Sequence, residues 1–139
     1  MGDKNNWIIF GCSPFIIDGA YGCGINAKIH ADKLPKIIPL FDKYTTLGLN
    51  YFPLKCEYRM VLDNGHVLNC YKEGERLVSS REIRPDLLYY NSVGKEDLRI
   101  KPYYEYELGK ELSCKYSIIE TALQYATMRG ADNIILIGV

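Results

Sequence analysis

The chain has 139 residues, 47% of them hydrophobic and 24% charged, the make-up of a single ordinary globular domain spanning residues 1–139. Seventeen basic residues balance seventeen acidic ones, so no net charge marks the chain for nucleic acid or a membrane surface. No run approaches the length of about eighteen apolar residues that a membrane span needs, and MGDKNNWIIFG lacks a secretory core, so a cytoplasmic protein is expected.

Trp7 to Gly11 (WIIFG) is a continuous apolar run that predicts a buried first strand. It breaks into a permissive loop carrying Gly11, Gly19, Gly22 and Gly24. Leu34, Ile37, Ile38 and Phe41 then stand at helical spacing, with Pro35 suited to a first turn and Pro39 shortening or kinking the helix. TTLGLNYF, from Thr45 to Phe52, is rich in β-forming residues, and CEYRMVLD, from Cys56 to Asp63, alternates as a further strand. Strand, helix, strand and strand in that order predict an α/β fold: three-layer, Rossmann-like, with a mainly parallel sheet.

Asn64-Gly65 is a hairpin turn signal, so Met60–Asp63 is expected to pair with His66–Tyr71 as a β-hairpin insertion in the middle. RLVSS and DLLYYNSV are two more short strand candidates, and Gly94 to Glu111 is a charged excursion compatible with strand or loop. SIIETALQYATMRG places Ile118, Ala122, Tyr125 and Ala126 on one helical face, with Ser113 or Ser117 as cap and Gly130 just past the end. NIILIGV predicts a last strand which, like the first, belongs at the buried centre of the sheet. The twelve tyrosines suit half-buried sheet positions.

Of the five cysteines, Cys12, Cys23, Cys56, Cys70 and Cys114, none forms a C-x-x-C pair, and His30 and His66 lie far apart. An odd number without a secretory signal reads as reduced thiols, and no metal or cofactor is expected. Ligands of open α/β sheets bind beyond the carboxyl ends of the strands. The expected topology gathers there Gly11, Cys12, Ser13 and Pro14 after the first strand, Asn50 ending the second, Asp63 after the third, Ser117 opening the last helix, and Gly138. Gly11 would let a ligand approach the backbone, and the helix N-terminus suits an anion. Ser13 and Ser117 can donate to phosphate or ribose oxygens, while the Asn50 amide both donates and accepts. The glycines do not form a dinucleotide fingerprint, and no G-K-[ST] completes a P-loop. Cys12 with His30 or His66 is the candidate nucleophilic pair, and Asp63 with Glu120 the candidate acid pair. Asp63 also has a turn to serve, beside Asn64-Gly65.

WIIFGCSPF, TTLGLNYFPLKCEYRMVLD and YSIIETALQYATMRGADNIILIGV resemble, in that order, the nucleotide-binding half of bacterial sialyltransferases. They also resemble the wider Rossmann-like group containing flagellin-glycosylation proteins and hydroxymethylpterin pyrophosphokinases. The resemblance covers about half the chain. It implies that Gly11, Ser13 and Pro14 occupy the nucleotide loop, with Cys12 in place of the usual asparagine and Phe15 in place of serine. It also implies nucleotide contact at Asn50 and, approximately, Ser117, with Gly138 as the glycine after the last strand. The catalytic part of that family has no counterpart in residues 1–139. The expectation is therefore binding of a nucleotide or nucleotide-derived molecule without turnover. A glycosyltransferase using a nucleotide-sugar donor is the alternative, and a partner-binding homo-oligomer whose neighbour completes the pocket is the third reading.

Overall fold

The computed structural model of the chain describes residues 3–18, 24–61, 66–79, 99–101, 111–113 and 117–139. Strand β1 (Asp3–Phe10) leads into a small antiparallel pair, β2 (Ile17–Asp18) with β3 (Lys28–Ile29). Helix α1 (Leu34–Ile37) runs into a 3-10 turn (Ile38–Asp42), then β4 (Tyr44–Leu49) and β5 (Tyr58–Val61). Next come α2 (Val67–Cys70), β6 (Arg76–Ser79), the parallel pair β7 (Arg99–Lys101) and β8 (Glu111–Ser113), α3 (Ile118–Met128) and β9 (Asn133–Ile137). Five strands make one sheet in the order β6-β5-β4-β1-β9, every neighbouring pair parallel.

Alternation along β1 explains its central place. Trp7 and Ile9 pack with Leu47, Leu49, Tyr58 and Met60 beneath Ala122, Tyr125 and Ala126 of α3. Ile8 and Phe10 turn the other way, onto Ile16, Ile17, Ile29 and Ile37. Aromatic rings mark both faces. Trp7 stacks on Tyr58 at 5.0 Å with Tyr125 edge-on to both, while Phe10 lies between Phe41 (5.3 Å) and Phe52 (4.5 Å). Such ring pairs add to the burial of their apolar surface.

Several expectations meet their outcome here. The helix with Pro39 is short and tightens into the 3-10 turn, as a proline inside it requires. Ser117 stands at the N-cap position of α3, and Gly130, at φ 99°, follows its end. The last strand is not central: among the described residues β9 pairs with β1 alone and forms the edge of the sheet, with Ile135 41% and Leu136 45% exposed. The hairpin insertion is also overturned. Residues 67–70 form α2, because β5 is already paired on both sides, with β4 and β6, and has no edge for an antiparallel partner. Val67 and Cys70, at i and i+3, bury together against Val61 and Leu77. RLVSS contributes β6, whereas DLLYYNSV lies outside the described residues. The stretch read as an open glycine-rich loop contains β2 and leads into its partner β3. Among the described tyrosines, Tyr58 and Tyr125 are buried in the core, a deeper place than half-buried sheet positions. No helix among the described residues is long and apolar enough to cross a membrane.

Candidate functional site at the carboxyl edge of the sheet

The loop after β1 is fastened, not loose. Gly11 donates its N–H to the Ile137 carbonyl (2.9 Å), and Ser13 donates to the Gly138 carbonyl (2.8 Å). The Ser13 carbonyl then accepts from Ile16 and Ile17 at 3.1 and 3.0 Å. His30 Nε2 bonds the Pro14 carbonyl (2.8 Å), and the Lys33 ammonium reaches the Phe15 carbonyl while lying over its ring. A Cβ on Gly11 would overlap the Gly138 carbonyl oxygen, so the backbone that approaches this glycine is the chain's own. Gly138 itself has φ 68°, and a side chain there would collide with Ile16. The Ser13 hydroxyl has no hydrogen-bond partner among the described residues and remains available.

Asn50 follows β4 in the left-handed region, at φ 48°, a conformation asparagine tolerates better than most side chains. Its backbone is held twice: its N–H donates to the Met60 carbonyl (3.0 Å), and its carbonyl accepts from Arg59 Nη1 (3.1 Å). Its side-chain amide makes no hydrogen bond to a described residue.

Arg59 organises this loop from below. Nε and Nη2 form a two-point ion pair with Glu75 at 3.0 and 2.8 Å, and both side chains are fully enclosed. Nη1 also donates to the Phe52 carbonyl, and Nη2 to that of Leu54, each at 2.8 Å. Together with the Asn50 carbonyl, these bonds use every N–H of the guanidinium. Glu75 in turn accepts the N–H groups of Cys56 and Lys72, both at 2.7 Å. The guanidinium needs room, which explains Gly48: a Cβ there would stand 2.9 Å from Arg59 Nη1 and 3.0 Å from Cys56 Sγ. Burial pushes the Cys56 thiol up to about 12, against the opposing pull of the Arg59 charge. Cys56 should therefore resist iodoacetamide in the native protein at pH 8 and react only after unfolding, as followed by peptide mass spectrometry. Rapid native labelling of Cys56 would contradict this account.

Two residues that the sequence reading did not gather stand at the same edge. Tyr51 follows Asn50, and its Oη lies 2.7 Å from His66 Nδ1, the rings meeting edge to face at 5.7 Å. His66 occupies the N-cap position of α2, so its expected place in a hairpin is corrected along with the hairpin.

Of the expected residues, Gly11 to Pro14, Asn50 and Gly138 come together. Cys12 Sγ stands 3.6 Å from the Leu49 carbonyl oxygen, which joins the loops after β1 and β4. Ser117 heads α3, whose eleven residues span about 16 Å, close to the length of β9. The tight Arg129–Asp132 connection thus returns the helix start to the level of the strand's carboxyl end. Asp63 lies outside the described residues, and with it the Asp63–Glu120 pair.

The Cys12 nucleophile is ruled out by its bonding. Cys12 is disulfide-bonded, where a reduced thiol was expected, while Cys56 and Cys70 are buried thiols. Its proposed histidine partners bond Pro14 and Tyr51 instead. No group of three His, Cys, Asp or Glu side chains suited to a metal occurs among the described residues.

No family model, curated protein or solved structure matches the chain.

Proposed function

We propose that this is a three-layer Rossmann-like domain that binds a nucleotide or nucleotide-derived small molecule at the carboxyl edge of its sheet, sequestering or sensing it without turnover. One observation carries the reading. β1 has β4 on one side and β9 on the other, and the elements that lead into these two neighbours, β2 to α1 before β4 and α3 before β9, pack on opposite faces of the sheet. Such a reversal leaves a crevice between neighbouring loops, where open α/β sheets receive ligands. The floor is the bonded backbone of Gly11, Ser13 and Gly138, and the groups offered above it are the Ser13 hydroxyl and the Asn50 amide. The resemblance to the nucleotide-binding half of sialyltransferases agrees with this placement of Asn50 and the Gly11–Pro14 loop.

The test is mass spectrometry of small molecules released from the purified, denatured protein, followed by calorimetric titration with whatever is found or with a nucleotide panel. Stoichiometric binding with the ligand recovered intact is expected. Cleavage of a bound nucleotide sugar would transfer the reading to glycosyl transfer, and no binding across the panel would overturn it.

A further inference from the structure

We propose that Phe15 is the surface on which the base of the ligand stacks, so that this part of the site takes a planar heterocycle by its face. The inference rests on the carboxyl edge being the binding site, and it names how one part of the ligand is held there.

Phe15 is 67% exposed, although its neighbours Ile16 and Ile17 are buried. The local turn explains the difference. Ile16 and Ile17 both donate to the Ser13 carbonyl, which winds residues 13–17 into a single helical turn. Ile16 and Ile17 join the cluster of Ile8 and Phe10, and Phe15 is left on the outside. Alpha-carbons two positions apart in such a turn are about 5 Å from each other, so Phe15 starts beside Ser13, whose hydroxyl belongs to the site.

Exposed side chains ordinarily change rotamer freely, but this one is held. His30 Nε2 bonds the Pro14 carbonyl, and because a carbonyl only accepts, Nε2 carries the hydrogen. Lys33 donates to the Phe15 carbonyl, and its ammonium lies 3.4 Å from the centre of the Phe15 ring. Both anchors come from the residues leading into α1. Backbone and ring are thus fixed before any ligand arrives, which spares a stacking partner the cost of ordering them. The ammonium occupies one face of the ring, and the exposed surface is left to the other face and the edge. A cation on the covered face draws π-electron density toward itself, easing the approach of a base to the open one. Every base has such a face, so stacking accepts different bases and favours the larger purines.

The test is calorimetric titration with adenosine monophosphate, cytidine monophosphate and ribose 5-phosphate, beside NMR of the Phe15 ring protons. Adenosine monophosphate should bind tightest, and ribose 5-phosphate, which has no base, weakest. The adenine ring current should move the Phe15 ring protons upfield. Phe15→Leu keeps an apolar side chain but removes the aromatic face. It should weaken adenosine monophosphate about tenfold or more, leaving ribose 5-phosphate affinity and the melting temperature unchanged. Phe15→Trp should retain the binding. Equal affinity of the wild type and Phe15→Leu for adenosine monophosphate overturns the inference while leaving the binding function standing. Unmoved Phe15 protons at saturation, or no binding of either monophosphate, overturn it too. A protein that binds no nucleotide of any kind loses both.

Discussion

Arg59→Met should be the most damaging single substitution in the sheet, costing about 3–5 kcal/mol, because it leaves the Glu75 carboxylate enclosed without its counter-charge. The carbonyls of Asn50, Phe52 and Leu54 lose their donor in the same step. The melting temperature should fall on the order of 10 °C or more for a chain of this size. The paired change Arg59→Met with Glu75→Leu removes both charges and should be markedly less harmful than the two single effects added together. Urea unfolding of the four proteins closes the cycle. Strict additivity would mean that the ion pair contributes nothing beyond its separate hydrogen bonds. The double variant should remain folded but hold Asn50 and Tyr51 more loosely, because nothing then ties down the carbonyls around them.

Gly11→Ala should destabilise the protein by about 2–4 kcal/mol, combining overpacking with strain on two backbone hydrogen bonds. The added methyl meets the Gly138 carbonyl, a backbone group that cannot rotate away. The bonds from Gly11 to Ile137 and from Ser13 to Gly138 should weaken together, releasing the end of β9. Faster hydrogen exchange at the Gly11 and Ser13 amides, with a lower urea midpoint, is the expected record. Unchanged stability would mean that β9 and the loop separate freely. Loss of ligand binding in a Gly11 variant therefore has to be read beside its stability, since the fold is the first thing the methyl disturbs. Ser13→Ala avoids that confusion, because the bonds of Ser13 to Gly138, Ile16 and Ile17 are all made by its backbone.

Local patterns made much of this fold legible. The run Trp7–Phe10 announced a buried strand, and the spacing from Ile118 to Ala126 with Ser117 before it announced α3. An apolar run does not say whether its strand is central or at an edge, and β9 was misplaced for that reason. Asn64-Gly65 carried a strong local hairpin signal, but pairing between distant segments decided the partners of β5. Arg59 and Glu75 stand sixteen positions apart, and Tyr51 and His66 fifteen, so no short motif joins them. One clue was present: Arg59 interrupts an otherwise apolar strand, and an arginine enclosed there needs a partner. Asn50 was legible as a polar residue ending a strand. Its left-handed backbone and the arginine that grips it were not.

The position of β1 between β4 and β9 also orders events on the ribosome. β4 is synthesised soon after β1 and can cover one of its edges early. The other edge waits for β9, and the bond from Asn133 to Asn6 closes a separation of 127 residues. At about 5–20 residues per second, that wait is on the order of ten seconds, with Trp7 to Phe10 exposed along one edge. Long-range parallel pairing of this kind is slow to form and vulnerable while it is incomplete. A released chain truncated before Asn133 should therefore recruit chaperones or cleave readily near β1. A released chain that includes β9 should gain protection in a single step.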